Sequence, residues 1–375
     1  MISRAFCTVV TANYVQDARA LAASLAAHEP DAPLYVLVAA RGPATQFLAT
    51  DAESPNLRLL TLDDLAPLGD ADVIDRMCFY YSAFELSQAL KAWMHRYLIA
   101  FTTVQQWLYI DSDVLPCAAF EPAWRSLASR PILLTPHQTR PNAVSDDLPL
   151  LQMGLYNGGL VGLSRSPEAS AFADWFASRL AVHCFARRDG LFHDQKWLDL
   201  VPLFFGSATA VSQHPGLNVA YWNLAERPLS LHADGQTVLA GGERLIFFHF
   251  SGWDPRRPNE VSQYASIDPA TLSDAWPVLT RRYMTVRNLF PRSAAIQHPF
   301  NFFNDGVEIR QAVRRAYFDD WRSGVAPAGN PFAMGPSLRH RARAVRLREA
   351  TANVAAFTRS CWGRATGMLR PGKRR

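Results

Sequence analysis

Two hydrophobic periods alternate along the first 115 residues of this chain, and their order predicts its architecture. Residues 6–11 form a short apolar run of strand length, 15–28 repeat apolar positions at helical spacing, and 34–39 and 57–60 return to strand. A long helical pattern over 84–100 then leads into the apolar run 107–110. Repeated strand–helix units predict an α/β fold on a mostly parallel sheet with helices on both faces. Ligands bind such sheets beyond the carboxyl ends of the strands, which points to 11–14 and to 111–113. Further on, 132–134 and 160–163 read as strand, 168–182 as helix, a short helix opens after residue 194, and 245–248 read as strand. Helical patterns over 272–290 and 307–321, with polar, Pro-rich joints such as 327–336, read as an appended unit. The expected divisions are an α/β domain over 1–268, a helical extension over 269–335 and a basic amphipathic tail over 336–375.

Composition narrows the class. A chain of 375 residues, 49% hydrophobic, can bury a substantial core. No apolar run reaches membrane-spanning length, and the first residues read as a buried strand and not as a cleavable leader, so a cytoplasmic protein is expected. Five scattered cysteines without a Cys-x-x-Cys pair argue against a disulfide framework and a zinc site. The net charge of +5 is uneven: residues 339–375 hold eleven Lys or Arg against Glu349 alone, which is +10 and leaves −5 for the rest. Within that tail Leu347, Ala350, Val354, Phe357 and Cys361 fall at helical spacing among arginines. This is the pattern of a helix lying on an anionic membrane surface, at the inner face for a cytoplasmic protein; a helix docked on its own domain shares it. No nucleic-acid-binding motif accompanies the tail, so a nucleic-acid partner is not expected.

The candidate chemistry begins where Trp107-Leu108-Tyr109-Ile110 runs into Asp111-Ser112-Asp113, and where the run 245–248 ends on His249. Alternation along an extended backbone would put Asp111 and Asp113 on one side and Ser112 on the other. Two carboxylates and an imidazole can hold one divalent cation; carboxylates with substrate phosphates suit Mg²⁺, and the imidazole favours Mn²⁺. A solvated turn or helix cap is the plain alternative for Asp-x-Asp. The apolar residues on both sides of the motif and the distant strand ending in His weigh for the metal. In Tyr156-Asn157-Gly158-Gly159 the paired glycines either admit a ligand close to the backbone or make a simple turn. Asp194 is either an N-cap or a chemical group, and spacing does not choose. The histidines other than His249 show no partner pattern, His193 differing only in preceding Asp194.

Taken in order over about residues 5–255, these motifs resemble the retaining glycosyltransferases of the GT-A fold, in particular family 8, the group of glycogenin and the bacterial lipooligosaccharide galactosyltransferases, as a divergent bacterial branch. The resemblance implies that Thr11, Ala12, Asn13 and Tyr14 hold a nucleotide base and ribose and that Lys91 contacts the donor phosphates. Asp111, Asp113 and His249 would ligate Mn²⁺ or Mg²⁺, with Ser112 in the donor site. Asn157 and Gly158 would touch the donor sugar, Asp194 and Gln195 would lie beside the reacting carbon, and Gly252 would belong to the late His-x-x-Gly motif. The Lys-Pro-Trp that follows this motif in the family is replaced by Trp253-Asp254-Pro255-Arg256-Arg257, so Arg256 or Arg257 would have to meet the diphosphate. The implied activity is transfer of a sugar from a nucleotide-diphosphate-sugar, UDP-linked by expectation, to a hydroxyl of a glycan or glycolipid with retention. Front-side attack, with Gln195 stabilising the sugar and Asp194 orienting it, is expected over a double displacement through Asp194. Two other readings are weighed. An aspartate-nucleophile phosphatase places its motif after the first strand, unlike this chain, and an inactive sugar-nucleotide-binding scaffold fits poorly with the full set Asp111, Asp113, His249 and Gln195.

Overall fold

The computed structural model describes residues 3–47, 56–141, 144–185, 190–267, 272–291 and 297–340. The expected amphipathic helix around 347–361 lies outside the described residues. Contacts divide the chain into two compact units, Met1–His298 and Pro299–Arg375.

In the first unit the strands are β1 (Arg4–Val10), β2 (Leu34–Val38), β3 (Leu57–Leu60), β4 (Gln106–Ile110), β5 (Val114–Pro116), β6 (Ile132–Pro136), β7 (Tyr156–Ser164), β8 (Thr209–Val211), β9 (Leu229–Leu231), β10 (Val238–Ala240), β11 (Glu243–Arg244) and β12 (Phe247–His249). The α-helices are α1 (Val15–Ala26), α2 (Ala71–Tyr80), α3 (Ala83–Phe101), α4 (Glu121–Ser129), α5 (Val144–Met153), α6 (Pro167–Leu180), α7 (Gln195–Leu198), α8 (Val201–Phe204) and α9 (Ala275–Asn288), with α10 (Gln311–Arg322) in the second unit. The helices expected over 272–290 and 307–321 are therefore present, one in each unit.

Seven strands form one sheet in the order β3-β2-β1-β4-β7-β6-β8. Four of its pairings are parallel, and β7 is inserted antiparallel between β4 and β6. The expected α/β fold on a mostly parallel sheet is thus observed. The β1–β4 register, Cys7 opposite Tyr109, brings 11–14 and 111–113 out of the sheet side by side at the same edge.

Local chemistry explains the element that carries Lys91. Ser82 caps α3: its hydroxyl accepts from the Glu85 amide, and the Glu85 carboxylate accepts from the Ser82 amide, a capping box. The inward face of α3 buries Leu86, Leu90, Trp93, Met94 and Leu98, each worth about 1.5–3 kcal/mol of transfer free energy, and the helix packs on α6 and β1. Lys91 lies on that same buried surface.

Beyond the main sheet, β5 follows β4 after a short turn and pairs antiparallel with β12, with His249 opposite Val114. An apolar cluster of Leu115, Val219, Phe248, Phe250, Trp276 and Leu279 clamps this ladder from the α9 side, and Phe250 stacks on Tyr283 at 4.0 Å. Among the described residues no helix is long and apolar enough to cross a membrane.

Candidate functional site

Asp111 and Asp113 converge at a tight turn: β4 ends at Ile110, and Asp111-Ser112-Asp113 links it to β5. The β5–β12 ladder then carries His249 to them: its Nε2 lies 3.1 Å from Asp113 Oδ1 and 3.8 Å from Asp111 Oδ2. Ligand atoms of the three residues all fall within 4.8 Å of one another. The Phe250 amide donates to the Asp113 carbonyl and the Asp111 amide to that of Gly159, which pins the turn from both sides. Ser112 sits half-buried within it.

Behind His249 stands a buried amide network. Asn218, fully buried with φ +58, donates through Nδ2 to Asn157 Oδ1 (3.1 Å) and Thr135 Oγ1 (3.0 Å). Its Oδ1 is left to accept from His249 Nδ1, 3.3 Å away. That bond assigns the proton to Nδ1 and leaves the Nε2 lone pair facing the two carboxylates, the orientation a metal-ligating imidazole needs. Burial pulls the imidazole down, and the Asp113 carboxylate outweighs it, so without a cation His249 titrates above its ordinary value. The donor set and the fixed tautomer fit a hard or borderline divalent ion.

Both glycines of 158–159 are demanded by this packing. A Cβ at Gly159 would lie 2.5 Å from His249 Cε1 and 2.9 Å from Asp111 Oδ2, and one at Gly158 would lie 2.3 Å from Asp194 Oδ2. Asn157, also buried, accepts the Gly159 amide and belongs to the network behind His249.

Lys91 is the cation of a second layer. Its Nζ donates to Gly158 O and Asp194 Oδ2, both at 3.0 Å, and lies 3.4 Å from Asp111 Oδ1 and 4.8 Å from the Tyr109 ring centroid. Burial favours the neutral amine, but Asp111 and Asp194 outweigh it and raise the Lys91 pKa. Tyr109 OH donates to Asp111 Oδ1 at 2.8 Å. Asp194 makes no side-chain cap hydrogen bond to α7; its carboxylate is the buried counter-ion of Lys91. His193 just before it holds φ +50 while buried, a strained conformation next to a charged pair.

Other expected residues are placed less centrally. Thr11 Oγ1 donates to Asn13 Oδ1 at 2.6 Å, Ala12 is buried and Tyr14 is 40% exposed, all at the sheet edge shared with 111–113. Gln195 spends its amide on Met153 O at the end of α5. Gly252, at φ +71, packs beneath Tyr264. Arg256 is exposed and chelates Asp254, while Arg257 pairs with Glu260.

Sequence reasoning missed Asn218, Asn223, His137, Gln138 and Trp222. Asn223 donates to Asn218 O and accepts from the Ala220 amide, fixing the left-handed turn. Trp222 meets both His137 and His249 edge to face at 5.3 and 5.2 Å. His137 Nε2 accepts from Asn157, so its proton is on Nδ1. That atom, Gln138 Oε1 and Trp222 Nε1 are buried and find no hydrogen-bond partner among the described residues. The one signal for this group was an amide, Asn218, set between the apolar Leu217 and Val219.

Fold and site together give an α/β protein with an Asp-Asp-His cluster that could hold a metal ion at the carboxyl edge of its sheet. No protein-family model matches the chain. It is 24% identical over 308 residues to the uncharacterized protein YfnF of Bacillus subtilis, covering 80% of this chain and 98% of YfnF. Among solved structures it is similar to the galactosyltransferase LgtC in complex with donor and acceptor sugar analogs, at 14% identity and a TM-score of 0.46 over 77% of this chain and 97% of LgtC. It is also similar to the glycosyltransferase GlyE of Streptococcus pneumoniae TIGR4, at 14% identity and a TM-score of 0.42 over 81% of this chain and 67% of GlyE.

Proposed function

We propose that this chain is a metal-dependent glycosyltransferase that moves a sugar from a nucleotide-diphosphate-sugar, UDP-linked, to a hydroxyl of a glycan or glycolipid with retention of configuration. The observation that carries the reading is the convergence of Asp111, Asp113 and a tautomer-fixed His249 at the sheet edge, with a buried Lys91–Asp194 pair one layer behind. These three residues would hold Mn²⁺ or Mg²⁺, which when bound neutralises the negative charge that grows on a diphosphate leaving group. Thr11 to Tyr14 lie on the same edge and would take the base and ribose. Asn157 and Gly158 would back the sugar from the buried layer, the Asn157 amide being committed to His137 and Asn218 and the Gly158 carbonyl to Lys91. Asp194, 3% exposed and held by Lys91, would orient the sugar and not attack it, which favours the front-side path. The orphaned polar atoms of Gln138 and Trp222 are suited to hydroxyl groups or to water that a sugar displaces. The basic tail, described only as far as residue 340, would bring the enzyme to an anionic inner membrane surface where a lipid-linked acceptor is presented.

A thermal-shift screen of UDP, GDP, CMP and TDP, with and without Mn²⁺, tests the reading, because ligands that bind the folded state raise Tm by mass action. The expected result is a shift for one nucleotide that requires Mn²⁺ and is lost in Asp113→Ala, together with slow metal-dependent release of free sugar from the matching donor. Absence of any shift from folded protein overturns it.

A further inference from the structure

A second concave site lies away from the Asp-Asp-His crevice. A cleft of about 780 Å³ opens between the carboxyl end of α1, the far end of β5, the β9–β10 turn and α9. The crevice meets β5 at Val114, whereas the cleft meets it at Leu115 and Pro116 and continues to Cys117. Its volume is in the range of small-molecule sites. The lining is divided: Ala23, Leu115, Pro116 and Val286 give an apolar floor, and Arg244, Arg281 and Arg282 stand at the rim.

The cations are not balanced from within. None of the three guanidiniums has a carboxylate at ion-pair distance among the described residues, and Arg282 makes one hydrogen bond, to Gln236 O. The acid in the lining, Asp234, is spent on its own turn, accepting from the Gln236 and Thr237 amides and the Thr237 hydroxyl. The carboxyl end of α1 offers about half a negative charge, too little for three cations. Two lining groups feel these cations: burial and then Arg244 hold His28 below its ordinary value, with Glu29 opposing and Arg282 adding to it, while burial pushes Cys117 up to about 12 against the pull of Arg282 and Arg244. An excess of positive charge, three guanidiniums against Asp234, over an apolar floor concentrates counter-charged ligands.

We propose that this cleft binds a phosphate-bearing ligand, its phosphate oxygens held by Arg244, Arg281 and Arg282 and its less polar body seated on the floor. Arginine suits phosphate because its planar fork donates in pairs. The site is separate from the metal crevice and stands whether or not the transferase reading holds.

The test uses the full chain in EDTA, so that the crevice holds no cation. Inorganic pyrophosphate is titrated calorimetrically, and flotation is measured with phosphatidylcholine vesicles with and without phosphatidic acid. Arg244→Gln with Arg281→Gln spares the Arg282 bond to the β9–β10 turn. Each lost guanidinium is expected to weaken binding about tenfold, the factor one charge-assisted hydrogen bond carries. Asp113→Ala is expected to leave that binding unchanged. A loss confined to pyrophosphate identifies a soluble phosphate ligand; a loss of vesicle binding, with the basic tail intact in both proteins, identifies a lipid headgroup. Binding of neither probe by the wild-type chain, or equal binding by the double variant, overturns the proposal.

Discussion

Replacing Lys91 by Met tests whether the second layer of the site is a buried ion pair. In the structure the ammonium is 2% exposed and divides its donors among Gly158 O at 3.0 Å, Asp194 Oδ2 at 3.0 Å and Asp111 Oδ1 at 3.4 Å. At an effective dielectric of about 20, the two attractions are worth about 5 kcal/mol each before desolvation. Desolvation costs several kcal/mol per ion, so the intact pair is close to neutral in net stability, whereas removing one partner strands the other at a cost of about 3–5 kcal/mol. Asp194 is the stranded group, since Asp111 keeps a quarter of its side chain in water. Lys91→Met is therefore expected to cost about 3–5 kcal/mol. Asp194→Asn is expected to cost about 1–3 kcal/mol, because Lys91 retains Asp111 and the Gly158 carbonyl. In the double variant the losses should fall short of additivity by about 2 kcal/mol. Urea unfolding at pH 7 with EDTA, so that no cation contributes, measures all three. A Lys91→Met protein within about 1 kcal/mol of wild type, or strict additivity, would show that the ammonium is not committed to Asp194.

Further outcomes follow from the same geometry. Asn218→Ala removes the acceptor that fixes the His249 tautomer and should weaken Mn²⁺ binding about 10–100-fold in calorimetric titration, with near-wild-type circular dichroism; unchanged affinity would mean that the amide does not set the imidazole. Gly159→Ala drives a methyl to within 2.5 Å of His249 Cε1 and should abolish Mn²⁺-dependent nucleotide binding, and a preserved thermal shift would contradict the packing. His95, buried beside Trp107 whose indole it accepts, is held down to about 3 by burial and then by Lys91. As pH falls below the unfolded value near 6.5 the unfolded chain binds the proton first, so stability present above that pH is lost on the way down, by about 2 kcal/mol at pH 5. His95→Gln keeps an acceptor for Trp107 and should flatten the difference in unfolding free energy between pH 7 and pH 5; an equally steep variant would refute the assignment.

Much of this was legible in the chain because burial writes itself as periodicity. The strands at 34–38 and 106–110 and the helix at 83–101 fall within a residue or two of their apolar runs, since each is buried nearly throughout or along a full stripe; the strand at 57–60, at the sheet edge and only partly buried, matches its run as well. α2, α4 and the short strands β8 to β11 left weaker marks, being partly exposed or only two or three residues long. The residues Asp111, Asp113 and His249 were readable as types at strand ends. What no pattern could give was the pairing of β5 with β12, a contact between residues more than 130 positions apart, and so neither the turn at 111–113 nor the Asn218 support was visible. Lys91 was noticed for its charge, while its burial between two carboxylates is a tertiary fact.

The order in which the site is secured bears on how it must work. Asp113 and His249 are joined through main-chain hydrogen bonds of β5 and β12, and that ladder is clamped by Phe248, Phe250, Trp276 and Tyr283, which bury against one another with no ligand present. Behind it the amides of Asn218 and Asn157 are bonded to each other and to Thr135 and Gly159, so the imidazole cannot rotate without leaving buried polar groups unpaired. If the cluster holds a cation, a site fixed in this way from the core outward would spend little of its binding free energy on ordering ligands, since the three groups already lie within reach of one another. Under the transferase reading, specificity for the rest of a substrate would come from the less constrained surroundings, from exposed Tyr14 and from Gln138 Oε1 and Trp222 Nε1, buried atoms that find no hydrogen-bond partner among the described residues.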